Sequence, residues 1–99
     1  MIIVKIMGPV VSTLKTDSLK GFKLLLVQRL DIELKGEKQA LVAVDLVDAG
    51  PGDIALFVSG SSARQTTETQ NKPVDGLLVG IVEQIEKEHK VIYKRGENE

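Results

Sequence analysis

Apolar residues in this chain come in short runs separated by Gly, Pro, Ser and Asp. Met1 to Met7 is apolar except for Lys5 and rich in β-branched side chains. Gly8-Pro9 interrupts it and Val10-Val11 resumes it. Proline cannot donate to a sheet ladder, so this segment predicts a strand bent or bulged at Gly8-Pro9. Lys15 to Lys20 is polar and predicts a loop. Phe22 to Leu30 fits two periods. Leu19, Phe22, Leu25, Leu26 and Leu30 would line one helical face, but Gly21 and the neighbouring runs favour a strand. Ile32 to Gln39 is charged, carries Gly36 and reads as a hairpin connection. Ala40 to Val47 is apolar at seven of eight positions, too short for a typical helix and rich in Val, which predicts a buried strand.

Asp48-Ala49-Gly50-Pro51-Gly52-Asp53 is the strongest turn signal. Pro presets φ at the first corner and Gly permits positive φ at the second, as a type II turn requires. Ile54 to Val58 predicts another strand. Ser59 to Gln65 opens on small residues and suits one short helix with a Ser N-cap. Thr66 to Lys72 is polar and expected at the surface. Leu77 to Val82 predicts a strand, and the alternation Ile81, Glu83, Ile85 suggests that it emerges into solvent. Glu86 to Lys90 is charged, Val91-Ile92-Tyr93 fits a last short strand, and Gly96 to Glu99 is expected to fray.

This pattern carries an inference of its own. An antiparallel sheet with one wet face alternates polar and apolar residues. Phe22–Leu30, Ala40–Val47, Ile54–Val58 and Leu77–Val82 instead put apolar side chains on both faces. Little helical sequence is left to cover the second face, and small domains rarely expose large apolar patches without a use for them. The expectation is a homo-oligomer or an obligate partner; the competing account is a closed, strongly twisted barrel that merely tolerates scattered surface Val and Leu.

Composition narrows the chemistry. The chain has 99 residues, which suits one domain. Thirteen Lys and Arg against 14 Asp and Glu leave a net charge of −1. That balance lacks the basic stripe a dedicated nucleic-acid binder needs and gives no electrostatic hold on a membrane. No cysteine is present, so disulfides, thiolate zinc sites and cysteine nucleophiles are excluded. Neither a signal peptide nor an apolar run near the ~20 residues of a membrane span is expected. The lone His89 sits among Glu86, Lys87, Glu88 and Lys90 and reads as a surface residue. Asp45, Asp48, Asp53 and Asp75 do not match a calcium loop. Asp48 and Asp53 suit turns, and Asp45, between Val44 and Leu46, suits a buried hydrogen bond to backbone. Ser59, Ser61 and Ser62 lack the second Gly of a nucleophile elbow and the Lys of a phosphate loop. Lys5, Lys20, Lys23, Arg29 and Arg64 form no run. From the residues alone, the reading is a non-enzymatic, self-associating β domain with no metal or cofactor.

Five motifs, in order along the chain, carry a resemblance. They are Gly8-Pro9-Val10-Val11-Ser12-Thr13; Leu19 to Val27; Val42-Ala43-Val44-Asp45 leading into Asp48 to Asp53; Ser59-Gly60-Ser61-Ser62-Ala63-Arg64-Gln65; and Pro73-Val74-Asp75 followed by Val79-Gly80-Ile81-Val82. Together they resemble the bacterial microcompartment vertex family, the carboxysome and ethanolamine-utilisation vertex proteins. Pro51 in the central turn departs from what many members carry there. The resemblance implies a mainly β fold, a small five-stranded barrel of the oligonucleotide-binding type with one short helix. It spans residues 1–83; residues 84–99 are then a charged C-terminal extension, with a short strand within 90–95. It implies a homopentamer that plugs the five-fold vertices of a cytoplasmic protein shell beside hexameric shell proteins, without nucleic acid, membrane or cofactor. Gly60, Ser61, Ser62, Ala63 and Arg64 match the family's signature loop and are expected at a subunit interface. Asp48, Ala49, Gly50 and Gly52 are expected near the five-fold axis, rimming a pore. Ordinary turn chemistry within one subunit remains the competing account of both loops. The competing function is a barrel that binds single-stranded nucleic acid or oligosaccharide, which would need a basic groove and aromatic platforms. A small-molecule enzyme or regulator is the other, and no convergent acids, Cys or paired His support it.

Overall fold

The computed structural model describes residues 1–13, 21–59 and 75–97. Five strands close into a barrel in the order β1-β2-β3-β5-β4: β1 (Ile2–Pro9), β2 (Leu24–Leu30), β3 (Gly36–Asp45), β4 (Ile54–Ser59) and β5 (Gly76–Ile81). A separate two-stranded hairpin, β6 (Gln84–Lys87) and β7 (Lys90–Lys94), follows. The mainly β, five-stranded barrel expected from the sequence is therefore present. The loop at 15–20, the short helix after Ser59 and the polar stretch at 66–72 lie outside the described residues, as do Gly60, Ser61, Ser62, Ala63 and Arg64.

Antiparallel pairing links β1 to β2 and β4, β2 to β3, and β4 to β5. The barrel is closed by the one parallel pair, in which Ala43, Val44 and Asp45 of β3 face Gly76, Leu77 and Leu78 of β5. Closure removes the open edges that would otherwise invite strand addition. The expected bulge in β1 is there: the register slips between Ile6 and Gly8.

Side chains alternate across each strand, and here the two faces meet different surroundings. Inside, Val4, Ile6, Leu25, Val27, Ala43, Ala55, Phe57 and Leu78 form the main core. On the opposite face, Val44 and Leu77 are fully buried against Phe22 and Leu24. This second cluster accounts for part of the two-sided apolar pattern without a partner. Leu26 and Val79, on the same outer side, stay 39% and 41% exposed, so the chain leaves part of that surface open.

Two elements differ from the sequence reading. β3 begins at Gly36, four residues before Ala40, and ends at Asp45 rather than Val47. The connection between β2 and β3 is only Asp31 to Lys35, where the Asp31 carboxylate accepts the N–H groups of Glu33 (2.8 Å) and Lys35 (3.0 Å). Leu34, not Gly36, takes the positive φ there. Gly36 serves the strand instead, because a Cβ on it would collide with the Gln28 side chain, whose amide donates to the Glu37 carbonyl at 2.8 Å. Secondly, the charged segment after Glu83 contains a strand, β6, where none was expected. Its hairpin turn uses Glu88 and His89, both at positive φ, without the Asn-Gly or Asp-Gly that usually marks such a turn.

Gly76 is the most tightly enclosed of the described glycines. A Cβ there would run into the Val58 carbonyl oxygen and the Phe57 ring. Gly76→Ala should cost about 1–3 kcal/mol, the usual scale of overpacking, or prevent folding. Gly80→Ala, whose Cβ would touch only the flexible Leu56 side chain at 3.4 Å, should cost far less. Urea unfolding of the two variants checks this, and equal midpoints would contradict the close approach at Gly76.

Candidate functional site

The loop between β3 and β4 carries four of the candidate residues, and its shape is set by two aspartates. Asp45 ends β3 with its side chain 1% exposed. Its Oδ1 accepts the Val47 N–H at 3.0 Å, and its Oδ2 accepts the Ala49 N–H at 3.0 Å. This is the buried bond to backbone expected for Asp45. Lys23 approaches the same carboxylate at 3.4 Å and donates to the Ala49 carbonyl at 3.1 Å. A buried charge needs such partners to offset its lost hydration.

At the other end of the loop, Asp53 Oδ2 accepts the Gly50 N–H at 2.9 Å, and the Asp53 N–H donates to the Gly50 carbonyl at 3.0 Å. Gly52 lies at φ +89°, the second corner a type II turn demands, and Pro51 occupies the first. The turn thus survives Pro51. It is tied to β1 through Gly52 N–H to Ile6 O and Ile6 N–H to Asp53 O, both 2.9 Å, beside the β1 bulge.

The structure therefore brings Asp48, Ala49, Gly50 and Gly52 into one loop but gives them different settings. The Asp48 side chain is fully solvated, at positive φ, with Lys23 3.7 Å away. Ala49 is buried in the main core. Gly50 is half-buried and Gly52 exposed. Ala49 anchors the loop rather than lining a surface.

Two cations that no sequence pattern singled out hold this region. Lys23 lies immediately before β2. Arg95, just past β7, donates from Nε to Asp53 Oδ1 (3.2 Å) and from Nη1 to Glu83 (3.1 Å). The Asp53 hydrogen bond is the larger cause, and together the two acids raise the guanidinium pKa further above its ordinary value, so Arg95 stays charged.

A groove runs between the barrel and the hairpin, with Leu30, Leu34, Ile54, Ile92 and Tyr93 among its lining residues. His89 is exposed at the hairpin turn, away from the groove's lining. Among the described residues no cluster of three or more His, Asp or Glu gathers to hold a metal ion.

The family described as "Ethanolamine utilisation protein EutN/carboxysome" matches residues 1–83. The chain belongs to this EutN/CcmL family. It is 46% identical over 82 residues to the bacterial microcompartment shell vertex protein GrpN of Rhodospirillum rubrum, covering 83% of this chain and 92% of that protein. It is 38% identical over 98 residues to the carboxysome shell vertex protein CcmL of Synechococcus elongatus, covering 99% of both. Among solved structures, a carboxysome subunit CcmL superposes with a TM-score of 0.89 at 38% identity, over 96% of this chain and 99% of that one. The GrpN pentameric microcompartment shell protein from Rhodospirillum rubrum superposes with a TM-score of 0.78 at 44% identity, over 88% and 99%.

Asp45→Ala would leave two loop N–H groups without their acceptor, a loss of about 1–3 kcal/mol. Asp45→Asn keeps one acceptor oxygen and should lose less. Chemical denaturation ranks the three proteins, and an Asp45→Ala chain as stable as the parent would show that the carboxylate does not hold the loop.

Proposed function

We propose that this protein is a structural, non-catalytic shell component, a homopentamer that caps the five-fold vertices of a bacterial microcompartment in the cytoplasm. The observation that carries the reading is the similarity, at 44% identity, to a GrpN structure described as pentameric. The outer apolar positions Leu26 and Val79 agree with a chain that meets neighbours. A ring of identical head-to-tail interfaces closes only when the rotation per subunit is right, so in this reading the function lies in interface geometry. Flat layers of hexameric shell proteins are the proposed partners, and pentagonal units supply the curvature that such layers lack.

Within that ring, the proposal assigns Gly60, Ser61, Ser62, Ala63 and Arg64 to the subunit interface. The Arg64 guanidinium, a planar fork of five donors, would bond a neighbour's carbonyls or carboxylates there. It places Asp48, Gly50 and Gly52 toward the five-fold axis, with Ala49 anchoring them from the core. Residues 84–99 form an extension appended to the barrel domain of residues 1–83.

Native mass spectrometry over a range of protein concentrations tests the assembly. A stable five-chain mass is expected, and a monomer at high concentration would overturn the reading. Gly50 offers a clean test of the axial placement. It does not occupy the left-handed region, and a Cβ on it would meet only Asp53 Oδ2 at 3.9 Å. Gly50→Leu should therefore cost the isolated fold no more than about 1 kcal/mol, the ordinary scale of a single substitution, yet weaken the pentamer. An intact ring of unchanged stability would remove Gly50 from the axis. Arg64→Ala should likewise shift the mass distribution toward smaller species, and an unshifted distribution would remove Arg64 from the interface.

A further inference from the structure

The β6–β7 hairpin has no fully buried residue: Ile85, Lys87 and Tyr93 are half-buried and the rest are exposed. A two-stranded hairpin is marginal by itself in water, so its position depends on how it is fastened. Three ion pairs fasten it, together with the Val82 N–H to Ile54 carbonyl bond (2.8 Å) just before β6. Near the turn, Lys87 meets Glu33 of the β2–β3 loop at 2.7 Å. At the root, Arg95 bridges Glu83 and Asp53, while the Arg95 N–H donates to the Glu83 carbonyl at 2.9 Å.

Asp53 is shared. One carboxylate oxygen receives Arg95 and the other receives the Gly50 N–H. The group that shapes the 50–53 turn is thus the group the hairpin pulls on. We propose that the hairpin and the 50–53 turn are coupled through the Arg95–Asp53 pair, so that displacing the hairpin loosens the turn and ordering one orders the other. Arg95 is a positioning residue in this arrangement. Coupling of this kind needs a physically continuous set of contacts, and here that set is two side chains long. It holds whether or not the turn lies near a symmetry axis.

Amide hydrogen exchange on the full chain, in its native assembly, tests the coupling at the Gly50 and Asp53 N–H groups. Ile85→Pro combined with Lys87→Ala disrupts the hairpin at a distance from the turn. Exchange at Gly50 and Asp53 should then quicken roughly five-fold, the scale of one lost hydrogen bond, while the barrel strands stay protected. In an Arg95→Ala background the same hairpin changes should add nothing at the turn, as a double-mutant cycle requires. Unchanged exchange at Gly50 and Asp53, or the same increase with and without Arg95, would overturn the proposal. Should the proline variant fail to fold, Arg95→Ala alone decides: it must speed the turn and the hairpin amides together, and an effect confined to either one overturns the coupling. The assembly mass of the same samples is read separately, so a failed pentamer and a failed coupling are distinguishable.

Discussion

The barrel closes on three residue pairs between β3 and β5, and the rest of the molecule depends on that short parallel contact. Both strands carry apolar side chains on both faces at this point: Ala43 and Leu78 inward, Val44 and Leu77 outward. The seam is therefore gripped from two sides. It also needs a glycine, because Gly76 lies where β5 passes against the Val58 carbonyl and the Phe57 ring. The last residue of the seam on β3 is Asp45, whose carboxylate at once bends the chain into the following loop. Closure of the barrel and the start of the loop are thus one local event.

How far the sequence foretold this can be traced residue by residue. The apolar runs that became β1, β2, β4 and β5 stand out because their cores are aliphatic and their ends are marked by Gly, Pro or Asp. The bulge near Gly8-Pro9, the Pro51-Gly52 turn and the buried role of Asp45 follow from local chemistry, so they could be read locally. The first half of β3 could not, since the polar run Glu37, Lys38 and Gln39 has the composition of a loop, and Gly36 mimics a turn residue while fitting under Gln28. β6 is charged and its turn puts positive φ on Glu88 and His89, where no glycine advertises it. In the candidate site, Asp48 to Gly52 form one loop because they are contiguous. The partners of Lys23 and Arg95, Ala49 and Asp53, were not legible because they lie 26 and 42 residues away along the chain, a distance no spacing rule spans.

The two-sided apolar pattern shows how a correct observation divides between causes. Part of the outer face is covered by the chain's own Phe22 and Leu24 over Val44 and Leu77. Part remains open at Leu26 and Val79. Apolar residues on a second face therefore mark a surface that is partly core and partly contact surface, and only the register separates the two.

The placement of the one tyrosine has a practical meaning for spectroscopy. The chain holds no tryptophan and a single tyrosine, Tyr93, which sits in β7 opposite Ile85 rather than in the barrel. Ultraviolet emission excited near the phenol band therefore originates in the appended hairpin. A fluorescence melt of this protein therefore reports the groove where Tyr93 meets Lys5, Leu30 and Ile54 of the barrel, while Phe22 and Phe57 add almost no emission of their own.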